Sequence, residues 1–206
     1  MDLMTRRRAM MLARQASSGR LPSGFTEYEY IEASGTQYIN TGYVPTADTE
    51  IICTFMRTAS QSYRAAEFGV TPTPKAMAAG TYFGWGNAAD KQGAYHPDEI
   101  FGLLTIRVNI SGVYNLIGAK AVDFGTVTWT SGSLPIYLLA RNNGGNADRL
   151  AKERLYHWAA YENGTKMVEF IPALRRSDNE LGLYETVSGT FFTNAGSGVF
   201  TGAALA

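Results

Sequence analysis

The sequence predicts an all-β protein, an antiparallel β-sandwich preceded by a short helical arm at the N-terminus. Three observations carry that prediction. From Phe25 onward, residues alternate with period two, the signature of strands with one face turned inward. Twenty-two glycines occur with twelve tyrosines and ten phenylalanines, a composition of many turns and β-favouring rings. Strand-like runs follow one another without intervening helical repeats, which argues against a parallel sheet with crossover helices.

In chain order, residues 1–20 (MDLMTRRRAMMLARQASSGR) differ in kind from the rest. They hold four methionines and no aromatic residue, and five arginines against Asp2 give a local charge of +4. Met, Leu, Ala, Arg and Gln favour helix. Leu3 and Met10, like Met4 and Met11, stand seven apart and fall on one stripe. One heptad pair is too short for a free helix. The segment therefore reads as a basic amphipathic docking arm, with Leu3, Met4, Met10 and Met11 burying apolar area and Arg6, Arg7, Arg8 and Arg14 seeking acidic partners; packing on its own domain is the alternative. Ser17-Ser18-Gly19 reads as a linker, and residues 21–206 as the sandwich.

Within the sandwich, Tyr28, Tyr30 and Glu32 share one parity and Glu27, Glu29 and Ile31 the other. Thr36–Asn40, Glu50–Met56 and Leu103–Ile110 are further strand-like runs. Pro135–Ala140 is continuously apolar, as expected of a strand buried on both faces. Asp148–Glu153 reads as at most a helical turn, with strand from Arg154. Asn163-Gly164 is a strong hairpin signal between His157–Tyr161 and Lys166–Ile171. Leu181–Tyr184 and Thr190–Thr193 flank a turn at Ser188-Gly189. Pro172 lacks a donor and is expected at an edge or strand end. Tyr38, Tyr137, Tyr156, Tyr184 and Phe192 are expected between the sheets.

Composition excludes several classes. Lys+Arg and Asp+Glu are both 18, so the net charge is zero and a globally basic nucleic-acid binder is not expected. The single cysteine, Cys53, excludes a disulfide framework and a thiolate metal cluster. No run approaches the ~20 apolar residues of a membrane span. The apolar run Ala9–Ala13 ends at Arg14, too short for a secretory signal, so a soluble protein not exported by a classical route is expected.

A resemblance is carried by several motifs. Leu21–Pro45 (LPSGFTEYEYIEASGTQYINTGYVP) resembles the opening of a family of concanavalin-like, laminin-G-like jelly-roll domains found in bacteriophages and prophages of gut bacteria. Glu67–Val70, the run from Ile136 to Gly145, Arg154-Leu155-Tyr156, Phe170–Asp178, Leu181–Glu185 and Phe191–Phe200 resemble later motifs of that family. The match frames Leu21 to Gly202 and is poor from Thr71 to Leu134. The resemblance implies a jelly-roll fold and a phage virion structural protein, a head decoration, head fibre or tail fibre, displayed at the virion surface after synthesis in the bacterial cytoplasm. Expected partners are capsid or tail proteins, further copies of the chain and glycans. The alternative is a prophage or bacterial surface lectin with no assembly role. No enzyme activity and no required cofactor are expected.

Candidate chemistry is sparse. Glu27, Glu29 and Glu32 have the spacing of the Glu-x-Asp-x-x-Glu motif of glucanases of that fold, with Glu in the middle; Glu32 would join the other two only through a bulge, and a solvated strand face is the favoured reading over a glycoside hydrolase. The two histidines, His96 and His157, lack a paired ligand motif. The resemblance leaves calcium open at Asn142, Asn143, Asn146 and Asp148, although one carboxylate among amides is a weak site. Carbohydrate binding is the favoured direct activity, with Tyr82, Trp85, Tyr95, His96 and Asp98 as its candidates, where rings and polar groups combine; for Tyr82 and Trp85, filling the core is the reading placed first. Asn109-Ile110-Ser111 and Asn163-Gly164-Thr165 match a glycosylation pattern, of little weight in a bacterial setting.

Overall fold

The computed structural model describes residues 20–59, 65–80, 82–92, 102–115 and 120–205. Arg20 apart, the arm expected over residues 1–20 lies outside them. The described residues form strands and connecting turns, with no helix among them.

The strands, in chain order, are β1 (Phe25–Ser34), β2 (Ile39–Asn40), β3 (Thr49–Arg57), β4 (Ala66–Thr71), β5 (Ala76–Ala79), β6 (Tyr82–Trp85), β7 (Lys91–Gln92), β8 (Leu104–Asn109), β9 (Gly112–Asn115), β10 (Lys120–Asp123), β11 (Tyr137–Leu138), β12 (Arg141–Asn143), β13 (Asn146–Asp148), β14 (Lys152–Glu162), β15 (Thr165–Arg175), β16 (Glu180–Glu185), β17 (Thr190–Phe192) and β18 (Thr201–Ala204). They make two sheets. The larger runs β10-β9-β8-β3-β14-β1-β15-β16-β17, with β18 added on β1. The smaller runs β13-β12-β4-β5-β6-β7, with β11 joining β4 to β2. Pairing is antiparallel except between β12 and β4.

One apolar core lies between the sheets. Ile51, Cys53 and Phe55 of β3 and Leu155, Trp158 and Ala160 of β14 meet Phe68 and Val70 of β4 and Phe83 and Trp85 of β6. Alternation along each strand explains the set: odd-numbered residues of β3 point inward while Glu50, Ile52 and Met56 remain half-exposed. Trp158 sits centrally, its ring 6.2 Å from Phe68 and 5.8 Å from Phe170. The Asn163-Gly164 turn closes the β14–β15 hairpin as expected, with positive φ of 49° and 78°.

The hairpin is forked. Near its tip, β14 and β15 pair with each other from Trp158↔Phe170 to Glu162↔Thr165. Below that level they part and β1 enters between them, pairing with β15 over Phe25–Glu27 and with β14 over Ile31–Ser34. Because β1 is antiparallel to both arms, it follows one arm up to the fork and the other down, and its register shifts between Tyr28 and Tyr30. Pro172 sits here. It was expected at an edge, yet it lies inside β15, paired with Leu183 of β16 on one side. On the other side it falls between the last β14 partner and the first β1 partner, where no ladder donor is required.

Three further expectations are corrected. Ile136–Ala140 is fully buried, but only Tyr137-Leu138 is strand, because Leu139 adopts a left-handed φ of 61°. Asp148–Glu153 forms no helical turn: β13 ends at Asp148 and β14 begins at Lys152. The tyrosines do not fill the space between the sheets. Tyr184 packs with Ile171, Ala173 and Phe25 in a separate cluster, Tyr137 stacks on Tyr38 at 4.9 Å, and Tyr156 meets Tyr30 at 5.4 Å. Of the five, Phe192 borders the central core.

Candidate ligand-binding groove

A groove of about 600 Å³ opens at one end of the larger sheet. Three neighbouring strands, β8, β3 and β14, end there, so the residues that line it come from rigid elements and their tight turns. Glu50 and Ile52 on β3, Asn109 on β8 and Tyr161 on β14 belong to the strands. Glu50 and Tyr161 are direct cross-strand neighbours. Asp48 comes from the loop before β3, Ile110 and Ser111 from the β8–β9 turn, and Asn163 from the tip of the β14–β15 hairpin.

Local chemistry fixes each wall. Thr49 is fully buried and its Oγ1 accepts the Thr46 N–H at 2.8 Å, which shapes the loop that carries Asp48. Tyr43 holds Thr49 from behind, its hydroxyl 2.8 Å from Thr49 Oγ1 while donating to Glu162 Oε1 at 2.9 Å. Burial pushes the Tyr43 phenol well above its ordinary value, so it remains a neutral strut. Ser111 N–H donates to Asn109 Oδ1 at 2.9 Å and closes the β8–β9 turn.

The carboxylates are oriented by amides. Asn109 Nδ2 donates to Glu50 Oε2 at 3.0 Å, and Arg107 Nη1 reaches the same oxygen at 3.4 Å. Asn163 Nδ2 donates to Asp48 Oδ2 at 3.3 Å. Glu50 Oε1 and Asp48 Oδ1 accept no hydrogen bond among the described residues. The groove thus combines a half-exposed aromatic ring, two open carboxylate oxygens and a surplus of one negative charge.

The residues expected to bind sugar fare differently. Tyr95, His96 and Asp98 lie outside the described residues. Trp85 follows the core-filling reading and not the platform one: it is 0 % exposed, with its ring 5.9 Å from Trp129. Tyr82 is half-buried on the opposite face of β6, so the two rings cannot serve one ligand. The alternation Phe83-Gly84-Trp85 already holds that information, since Phe83 and Trp85 share a parity.

In the loop read for calcium, Asp148, Asn142 and Asn143 spend side-chain oxygens on the protein, while Asn146 is exposed on β13. Asp148 pairs through both oxygens with Arg141 and accepts Asn143 Nδ2 at 3.2 Å. Asn142 is buried, accepts Gly145 N–H at 2.8 Å and donates to Pro135 O. Among the described residues no three acidic, histidine or cysteine side chains gather to hold a metal. The glutamates of β1 are also committed, Glu27 to Arg20 and Glu32 to Arg154 at 2.6 Å.

Two titratable clusters lie elsewhere. In the interior, Arg57 donates from Nε to Glu153 Oε1 and from Nη2 to Glu67 Oε1, both at 3.0 Å. Glu67 stands at the register shift of β4, where the bulge aims it at the other sheet, and it also accepts Gly80 N–H. Burial raises the Glu67 carboxyl; burial and then the Glu67 charge raise that of Glu153 further. On the outer face, Glu169 lies 3.1 Å from His157 Nε2 and accepts Lys166 Nζ and Thr186 Oγ1 at 2.9 and 2.8 Å. Those bonds, His157 first, hold it well below the usual carboxylate range.

Among the described residues no helix is long and apolar enough to cross a membrane. No family model matches the chain, and no curated protein and no solved structure is significantly similar to it.

Proposed function

We propose that the chain is a bacteriophage virion structural protein whose basic arm, residues 1–20, docks on a capsid or tail protein and holds out a jelly-roll domain with lectin-like capacity. The polarity of the body carries the reading. β1 begins at Phe25, beside Arg175, while the groove lies at the other end of β15, beside Thr165. Ten residues of strand, on the order of 30 Å, separate the two ends. An anchor at the N-terminus would leave the groove facing outward.

The arm's composition supports attachment, since arginines alternate with methionine and leucine in a segment too short to be stable alone. The resemblance of Leu21–Pro45 and the later motifs to phage jelly-roll domains supports the setting. Self-association fits a virion component, because such particles are built by symmetry.

The test is particle incorporation of the full chain against a chain lacking residues 1–20. Loss of incorporation, with the far-UV and near-UV circular dichroism of the body retained, is the expected result. Incorporation of the truncated chain at the full-length level overturns the docking role.

A further inference from the structure

We propose that the groove between β8, β3 and β14 binds one uncharged pyranose ring, a neutral hexose or N-acetylhexosamine, and rejects acidic sugars. The inference rests on the lectin-like reading and gives it a site and a ligand class.

The volume of about 600 Å³ lies within the range of small-ligand sites and suits one or two sugar rings. Tyr161 supplies a flat aromatic face for the C–H face of a pyranose, with Ile52 beside it. Glu50 Oε1 and Asp48 Oδ1 are acceptors in want of donors, and sugar hydroxyls are donors. Each carboxylate is already held by an amide N–H from Asn109 or Asn163, so its orientation is settled before a ligand arrives. That arrangement suits a hydroxyl ligand better than a bare cation, because one oxygen of each carboxylate is spoken for by a protein donor.

Charge sets the selectivity. Of the two carboxylates, Glu50 faces the guanidinium of Arg107, which also lies 4.4 Å above the Tyr114 ring, while Asp48 is held by the neutral Asn163 amide. A uronic or sialic carboxylate entering the groove would stand beside uncompensated like charge and lose water without gaining a partner.

The experiment is saturation-transfer NMR and titration of the full-length protein with methyl pyranosides. The neutral probes are the glucoside, galactoside, mannoside and N-acetylglucosaminide; the acidic probes are the glucuronide and N-acetylneuraminide. At least one neutral probe is expected to bind in the millimolar range, with the acidic probes weaker by about tenfold or more. Tyr161→Phe keeps the ring and the binding, whereas Tyr161→Ala loses about tenfold. The near-isosteric double variant Asp48→Asn, Glu50→Gln weakens the neutral probe and abolishes discrimination against the acidic ones.

Acidic probes that bind as tightly as neutral ones overturn the inference. Neutral-sugar binding that survives both Tyr161→Ala and the double variant overturns this site and leaves the lectin-like reading standing. Binding by no pyranoside overturns both, and neither result bears on the docking arm, which particle incorporation judges separately.

Discussion

Arg57 on β3 donates its Nε hydrogen to Glu153 Oε1 on β14 at 3.0 Å inside the core. The same guanidinium reaches Glu67 on the opposite sheet, so a single cation holds an acid of its own sheet and joins the layers through a second. A buried guanidinium can balance only one of them, and burial pushes both carboxyls above their ordinary value.

Stability is therefore expected to fall as pH rises above the glutamate range. Glu67 and Glu153 have folded-state pKa values above their ordinary value of 4.5. Their contribution is complete below that value and is lost as pH climbs through the raised ones. Urea unfolding followed from about pH 5 to about pH 9 should show a decline, and Glu153→Gln should flatten it. A wild-type stability that rises across this window contradicts the account. Arg57→Met leaves two acids without a cation and should cost about 3–5 kcal/mol at neutral pH.

The acid limb has a different origin. Glu169 is held below the usual range by His157, Lys166 and Thr186. Its contribution is present above the ordinary glutamate value and fades as pH falls through its lowered one. Glu169→Gln should cost about 1–3 kcal/mol at neutral pH and make the loss of stability on acidification shallower. A mutant whose acid limb superimposes on that of the wild type contradicts this assignment.

Trp85 and Tyr161 should separate stability from binding. Trp85→Ala empties a core position and should cost about 3–5 kcal/mol in denaturant titrations, while sugar binding by the folded fraction is unchanged. Tyr161→Ala should do the reverse, with the larger effect on binding. A Trp85 variant that loses binding at full folding would return the site to β6.

Gly182 faces the backbone of β17. A Cβ at that position would collide with the Phe192 carbonyl oxygen. Gly182→Ala should push β17 from the sheet edge at a cost of about 1–3 kcal/mol. Amide exchange should quicken at Phe191 and Phe192 and not at β3; protection of β17 at the wild-type level would show that the edge yields without cost.

Much of the β framework was legible residue by residue. The alternation of Glu50–Met56 marks β3, Asn163-Gly164 marks the turn between the longest strands, and Ser188-Gly189 marks the turn into β17. What escaped depended on contacts between distant segments. Glu153 reads as a helix former, yet Arg57 and the β3 ladder draw it into β14. Pro172 reads as an edge residue because its sequence cannot reveal that β1 takes over from β14 beside it. The groove was hidden for the same reason: Asp48, Asn109 and Asn163 are far apart along the chain, and only the order β8-β3-β14 brings them to one sheet end. The expected platform failed on parity, since Tyr82 and Trp85 stand on opposite faces of β6.

The forked hairpin also dictates when the protein can finish folding. Ile31 pairs with Leu155 on one flank and with Gly202 on the other. β1 must wait for β18, far along the chain, its ladder groups open to wrong partners meanwhile. Completion of the sheet is thus a late step of folding, and a chain cut just before Thr201 would leave β1 without part of its cover.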